Sequence, residues 1–138
     1  MADLKSKGDL AEMAVAADIL RRGHKIAFPF GEDWDYDLIA RRGGRLERVQ
    51  VKHARASAGV IPVRCRSASL TNGRVRTIKQ YTAETVDWIA VYEGVSGRCY
   101  YVPSTEFARG RSILSLRLGP TLNGQQQRIR WARDYLAF

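Results

Sequence analysis

A tight β-hairpin is the feature of this sequence that most constrains its fold. The strand-like segments YDLIA and LERVQVKH flank the run RRGGR. Adjacent glycines between two such segments are a strong hairpin signal. If the glycines form a two-residue turn, Arg42 pairs with Arg45 and Asp37 lies directly opposite Gln50. A four-residue loop on the same glycines keeps this register, whereas a three-residue loop would break it.

The predicted register indicates which side chains share a face of the sheet. Side chains alternate along a strand, so Val49 and Val51 point to one face and Gln50 and Lys52 to the other. Directly opposed residues have Cβ atoms about 4.5–5.5 Å apart, and diagonal neighbours lie about 7–8 Å apart. Asp37, Gln50 and Lys52 are therefore expected to converge on one patch. The solvated side of a surface sheet is the alternative explanation for the same pattern.

Glu12 is a further candidate because it lies in a largely apolar predicted helix. Ser6 matches the N-cap of a capping box, and the helix is expected to run to Arg22 and stop at Gly23. None of the residues three or four positions from Glu12 is a cation. A buried carboxylate without a local partner needs one from elsewhere. A metal ion or Lys52 would supply it, unless Glu12 occupies a solvent-facing strip of the helix.

The remaining segments predict more strands around this hairpin. The segments VDWIAVYE and RCYYVP form a second predicted hairpin, whose first strand is apolar enough to be central. We expect strands at VIPVRCR and ILSLRL, a turn at Asn72-Gly73, and helices at KQYTAE and QQQRIRWARDYLAF. The predicted class is a mixed α/β fold with a central mixed β-sheet flanked by helices. The length of 138 residues favours a single domain, 1–138.

Charge is the strongest compositional signal. Lysine and arginine number 23 against 14 aspartates and glutamates, a formal net charge of +9. This excess favours polyanionic partners, nucleic acid first and acidic membrane surfaces second. A basic ribosome-associated protein would have the same charge. The first residues contain no apolar signal-peptide core, and the apolar runs are too short to cross a bilayer, so we expect a cytoplasmic protein.

Several basic side chains are candidates for contacts to nucleic-acid phosphates. Such contacts position DNA without reading its sequence. Taken one at a time, each is also explained as an ordinary solvated surface residue. The DNA-binding candidates are Arg64, Arg66, Arg74, Arg76, Lys79, Arg128 and Arg130.

Taken together, these motifs resemble the PD-(D/E)XK nuclease superfamily. Glu12 in a helix, Asp37 in YDLIA, a hairpin, and Gln50 and Lys52 in QVK fit its glutamine-containing variant, represented by cyanobacterial group I intron homing endonucleases. The segments DWIAVYEGVSGRCYYVP and TLNGQQQRIRWARDYL also resemble later parts of that group, so the resemblance covers most of the chain. It implies a restriction-endonuclease-like core and hydrolysis of phosphodiester bonds in double-stranded DNA.

The resemblance also implies roles for the four candidate site residues. Asp37 would be the principal metal carboxylate, Gln50 would offer its carbonyl where most relatives have Asp or Glu, and Glu12 would complete the site. Lys52 would orient the attacking water and balance charge on the phosphate. The implied cofactor is Mg²⁺, or Mn²⁺ in its place; Mg²⁺ prefers oxygen ligands and retains several waters. Because Gln50 removes one negative charge, weaker metal binding is expected, and a site that has lost catalysis is also compatible with it.

The first hypothesis is therefore a Mg²⁺-dependent DNA endonuclease similar to homing endonucleases. Cutting both strands requires two sites related by a twofold axis, so we expect a homo-oligomer, a dimer or a tetramer. A Holliday-junction resolvase with the same core is one alternative. A nucleic-acid-binding module that keeps the fold without catalysis is the other.

Overall fold

The computed structural model describes residues 3–71, 74–107, 110–121, 123–124 and 127–138. For residues 68–71 and 74–77 it describes the backbone only. A single α-helix occurs among these residues, followed by strands and two short 3₁₀-helices (Ser104–Glu106 and Ala132–Tyr135). The helix and strands are α1 (Leu4–Arg21), β1 (Lys25–Ala27), β2 (Leu38–Arg42), β3 (Arg45–Ala54), β4 (Val60–Arg64), β5 (Arg66–Thr71), β6 (Arg74–Gln80), β7 (Trp88–Glu93), β8 (Cys99–Pro103) and β9 (Ile113–Arg117).

A five-stranded mixed sheet is at the centre of the molecule, in the order β1-β2-β3-β7-β8. β3 and β7 pair in parallel, and the other neighbours pair antiparallel. Every residue of β7 except its first and fifth is buried, as expected of the central strand that the sequence predicted. The predicted mixed α/β class with a central mixed sheet is thereby confirmed. No helix among the described residues is long and apolar enough to span a membrane.

The β2–β3 hairpin has the register predicted from its glycine turn. Arg42 pairs with Arg45 across the turn. The two glycines have φ values of 52° and 80°, a region that glycine adopts without steric strain. The N–H of Asp37 donates to the carbonyl of Val49 over 2.9 Å, so pairing continues beyond the first residue of β2. The regular register ends at the Leu38–Val49 pair, and this bond joins Asp37 to Val49 rather than to Gln50, so the register shifts by one residue at Asp37.

Different layers cover the two faces of the sheet. Helix α1 packs on one face, where its buried residues contact β2, β3, β7 and β8; they are Ala11, Val15, Ala16 and Ile19. Strands β4 and β9 form an antiparallel ribbon on the other face, through Ile61, Val63, Leu114 and Leu116. The ribbon takes the place of the flanking helices expected there. Because Ala54 at the end of β3 belongs to the ribbon side, Gln50 and Lys52 also face that side.

The N-terminus of α1 differs from the prediction. The helix begins at Leu4, and the carboxylate of Asp3 caps it by accepting the N–H of Ser6 at 2.7 Å. Ser6 therefore occupies the third helical position rather than the cap. Aspartate and serine are comparable caps, and starting at Asp3 adds most of a turn to the helix. At the other end Arg22 is the C-cap and Gly23 follows with φ 88°, close to the prediction.

Two segments predicted to be helical are not α-helices. Lys79 and Gln80 belong to β6, and a turn follows them. Within 127–138, the part of the C-terminal segment that the structure describes, only Ala132–Tyr135 is helical, as a 3₁₀-helix. There the carbonyl of Arg130 accepts the N–H of Arg117 at 2.8 Å, so this part of the chain extends the β9 region instead. The predicted turn at Asn72-Gly73 lies outside the described residues.

Candidate active site

Asp37 lies just before β2 and is partly buried. One carboxylate oxygen, Oδ2, accepts the backbone N–H of Val51 at 2.8 Å, which fixes the side chain against β3. Burial raises the pKa of Asp37, and the Val51 N–H and the Lys52 ammonium oppose that rise. The fold therefore holds this carboxylate in place without fully compensating the burial of its charge.

Glu12 approaches Asp37 from the opposite side of the sheet, because α1 carries it. The two carboxylates line one cleft of about 240 Å³. Burial raises the pKa of Glu12, and the negative charges of Asp37 and then Asp9 raise it further. A bound cation would offset the repulsion that Asp37 exerts on the ionised form of Glu12. Glu12 is partly buried beside this second carboxylate, and among the described residues it forms no ion pair.

Gln50 is more deeply buried than a solvated sheet face would require, with 9% of its surface exposed. Its amide nitrogen donates to the carbonyl of Val51 at 3.3 Å. With the nitrogen engaged by the backbone, the carbonyl oxygen is the atom of this side chain that would ligate a cation. Gln50 is not among the described residues that line the Glu12–Asp37 cleft.

Lys52 follows Gln50 on the same face and is partly buried. Burial lowers the pKa of its ammonium group, Asp37 opposes that change and Arg64 adds to it. The Nζ atom lies 5.0 Å from the ring centroid of Tyr81. The stem of Lys52 also lines a second small cleft, shared with Arg64. Asp37 therefore acts electrostatically on the pKa of both Lys52 and Glu12.

The donor set fits a hard divalent cation. Among the described residues, no group of three or more His, Cys, Asp or Glu side chains is arranged to hold a metal ion. Glu12 and Asp37 nevertheless line one cleft, and Gln50 lies on β3, whose Val49 and Val51 bond the backbone N–H and the carboxylate of Asp37. Mg²⁺ takes oxygen ligands and is often held by one or two carboxylates with water and substrate phosphate. Oxygen donors without nitrogen or sulfur also disfavour zinc.

The loop between β1 and β2 forms the outer wall of the cleft, which the sequence did not predict. Trp34 donates its indole N–H to the carbonyl of Phe30 at 2.7 Å and packs on Tyr36 with ring centroids 5.5 Å apart. Asp33 adopts φ 64°, a left-handed conformation that is uncommon outside glycine. Backbone conformation of this kind has no reliable pattern in a single sequence.

Three of the predicted DNA-binding arginines have exposed side chains. Arg64 ends β4 beside Lys52. Arg66 begins β5 and donates to the hydroxyl of Ser112 at 2.5 Å. Arg128 adopts φ 58° and lines a cleft of about 660 Å³. Two arginines that the sequence did not single out, Arg111 and Arg117, line the same cleft.

The other four candidates are engaged or fall outside the described side chains. Lys79 forms an ion pair with Asp35 at 2.8 Å, and Arg130 forms one with Glu106 at 3.1 Å. Asp35, which lies close to the site in sequence, is thus the partner of a surface lysine. The backbones of Arg74 and Arg76 lie in β6, and their side chains are not among those described.

Comparison with known proteins gives a family and a structural relative. A family model described as PD-(D/E)XK endonuclease matches residues 2–138. Among solved structures, that of the bacterial homing endonuclease I-Ssp6803I is similar, with a TM-score of 0.75 and 25% sequence identity. The match covers 97% of this chain and 88% of that chain. No curated protein matches the sequence significantly.

Proposed function

The chain belongs to the PD-(D/E)XK endonuclease family, and on this basis we propose that it is a Mg²⁺-dependent DNA endonuclease of the homing type. The resemblance predicted from the sequence is confirmed by the family match. One observation within the chain carries the proposal: Glu12 and Asp37 line a single cleft, and Lys52 acts electrostatically on the same Asp37. A merely solvated sheet face would not place a partly buried carboxylate of α1 in the same cleft as Asp37.

In the proposed site, three oxygen donors would hold the metal ion. Asp37 and Glu12 supply the negative charge, and Gln50 supplies a neutral carbonyl. A bound Mg²⁺ would contribute polarisation of the scissile phosphate and a lowered pKa of water. Because the glutamine is uncharged, the site requires a higher Mg²⁺ concentration than one with a third carboxylate.

Lys52 would act on the phosphate and on the attacking water. Its ammonium group has three donors, and Asp37 stabilises the charged form against burial. Positive charge fixed beside a phosphate stabilises the additional negative charge that develops in the transition state. Removing this amine is therefore expected to slow the chemical step while leaving most DNA affinity intact.

Basic side chains around the site would hold the DNA backbone. We assign the first phosphate contacts to the exposed arginines Arg64, Arg66 and Arg128. Lys79 would exchange its surface partner Asp35 for phosphate, since such exposed pairs contribute only about 0–1 kcal/mol. Arg130 would have to leave its less exposed pair with Glu106 to do the same. Affinity should fall steeply with salt, because each phosphate contact releases counterions.

The proposal includes self-association, since one chain provides one site. Two sites related by a twofold axis would cut the two DNA strands. Light scattering of the purified protein, with and without duplex DNA, distinguishes a monomer from a dimer or tetramer. A monomer in both conditions would contradict this part of the proposal and predict nicking instead.

The experiment that tests the function is a cleavage assay on three substrates: supercoiled plasmid, a four-way junction and a pool of genomic fragments. Each is incubated with Mg²⁺ or EDTA. Wild type is compared with Asp37→Asn and with Asp9→Asn, an exposed acid one turn before Glu12 that pairs with Lys5 at 3.6 Å. We expect Mg²⁺-dependent cutting by wild type and Asp9→Asn and none by Asp37→Asn.

The substrate preference separates the alternatives. Cutting of particular genomic fragments supports a homing-type nuclease, whereas selective cutting of the junction supports a resolvase. Tight binding with no cutting of any substrate, in Mg²⁺ or Mn²⁺, would overturn the nuclease and leave a binding module on the same fold.

A further inference from the structure

Lys52 needs something other than a carboxylate to hold its position. Among the residues that the structure describes, it forms no ion pair within 4.0 Å. Arg64 lines the same small cleft and repels it. A lysine stem has four rotatable bonds and otherwise extends toward solvent. The partly buried position of its side chain therefore requires an explanation.

Tyr81 is the aromatic side chain under that amine. The Lys52 Nζ atom lies 5.0 Å from the ring centroid, within the range of a cation–π interaction. Burial raises the pKa of the Tyr81 phenol, so the ring is neutral at physiological pH. The attraction is consequently that of the ring face for a cation and does not depend on a phenolate.

The protein holds Tyr81 rigidly. The residue is 4% exposed and belongs to the core on the ribbon side of the sheet, with Val63 and Cys65. Its N–H donates to the carbonyl of Cys65 at 3.0 Å, which ties the end of β6 to the chain between β4 and β5. The negative charge of Asp37 also contributes to the raised pKa of the phenol. A fixed ring is suited to positioning a flexible amine.

We propose that Tyr81 is the positioning residue for Lys52, holding the ammonium group over its ring so that it faces Asp37 and the scissile phosphate. The inference deepens the proposed nuclease function and rests on it for its catalytic consequence. Tyr81 itself touches neither substrate nor metal in this scheme. Its contribution is to reduce the number of orientations that Lys52 samples before the reaction.

Two substitutions distinguish the effect of the aromatic ring on the rate from the effect of side-chain volume. Tyr81→Phe keeps an aromatic face, whereas Tyr81→Leu fills part of the space without one. We expect Tyr81→Phe to retain nearly wild-type turnover. Tyr81→Leu should lower the single-turnover rate about 5- to 30-fold, with DNA affinity in EDTA changed less than twofold. In a Lys52→Ala background, Tyr81→Leu should have no further effect on the rate.

Tyr100→Leu is the matched control for the loss of a buried tyrosine. Tyr100 is 1% exposed and belongs to the same core, but it has no described contact with Lys52. Its substitution should lower thermal stability to a similar extent and leave the rate per folded molecule unchanged. An equal loss of rate in Tyr100→Leu and Tyr81→Leu would overturn the proposal, because it would mean that core damage alone slows cleavage.

A second measurement tests the contact between Lys52 and Tyr81 and does not depend on DNA cleavage. The chain has five lysines, so their ¹³C-labelled side chains give few NMR signals, and Lys52→Arg identifies one of them. Ring currents should shift the Lys52 ε-methylene protons upfield in wild type and Tyr81→Phe, and not in Tyr81→Leu. An unshifted signal in wild type overturns the inference. Failure of wild type to cut any DNA would instead overturn the proposed function, whatever the NMR signal shows.

Discussion

Glu93 and Asp37 are two carboxylates buried at different places on one sheet, and their surroundings shift their pKa values in opposite directions. Glu93 ends β7 with 1% of its surface exposed. It accepts the N–H groups of Ala56, Val95 and Ser96 at 2.8–2.9 Å, and the Ser96 hydroxyl at 2.8 Å. Burial acts to raise its pKa, but these hydrogen bonds outweigh burial and lower the pKa to about 2.

Asp37 has much less compensation. One backbone N–H, from Val51, reaches its Oδ2 atom, and burial leaves its pKa raised. The nearby Glu12 adds a like charge in the same cleft. The difference distinguishes a carboxylate that stabilises the fold from one whose charge is left for a ligand to balance. Perturbed carboxylates of the second kind are typical of functional sites.

The largest expected effect is the loss of activity in Asp37→Asn without loss of folding. Asparagine keeps an oxygen to accept the Val51 N–H and removes a charge that burial disfavours. We expect cleavage to fall by at least about 10³-fold, because metal-assisted stabilisation contributes several kcal/mol. The thermal midpoint should stay equal or rise. A fall of many degrees would mean that Asp37 stabilises the fold as Glu93 does.

Glu93→Gln should have the opposite profile. The amide would turn an NH₂ group toward backbone N–H donors and lose the charge-assisted hydrogen bonds. From the lowered pKa we expect a loss of about 3 kcal/mol in the free energy of unfolding at pH 7. Urea denaturation measures this loss, and cleavage per folded molecule should be unchanged. A cleavage defect at full stability would contradict the assignment of Glu93 to the fold.

The pH dependence of stability sharpens the comparison. The pKa of Glu93 is about 2 in the folded chain against an ordinary value of 4.5. Its stabilisation is therefore fully present above pH 4.5 and is lost as pH falls toward 2. In this interval the wild type should lose about 1.4 kcal/mol per pH unit relative to Glu93→Gln. Parallel urea titrations test this, and a constant difference between the two proteins would show that the Glu93 pKa is not lowered.

The sequence predicted the parts of the site that local rules determine. The glycine turn sets the register of Leu38–Arg42 against Arg45–Val49, which brings Asp37 to the strand that carries Gln50 and Lys52, although Asp37 itself bonds Val49 rather than Gln50. The contact of Lys52 with Tyr81 joins elements far apart in the chain, and no local pattern predicts it. The donors around Glu93 likewise include Ala56, which arrives only through the parallel pairing of β3 with β7.

The C-terminal segment shows how tertiary contacts override local preference. Apolar residues at three- and four-residue spacing predicted a helix there. The hydrogen bond from the N–H of Arg117 to Arg130, together with a parallel bridge from Arg117 to Trp131, holds part of the segment extended beside β9. Helix propensity contributes only tenths of a kcal/mol per residue, so a few such contacts outweigh it.

The smallest expected effect is the stabilisation of the folded chain by Mg²⁺ without DNA. A ligand that binds only the folded state adds about 1.4 kcal/mol at ten times its dissociation constant. We expect Mg²⁺ to raise the thermal midpoint of wild type by a few degrees. The midpoint of Glu93→Gln, which is lower without Mg²⁺, should rise by the same number of degrees. The double variant Asp37→Asn, Glu12→Gln should show no increment. A rise in the midpoint of the double variant would mean that the metal binds elsewhere and that the raised pKa values of the two carboxylates reflect burial alone.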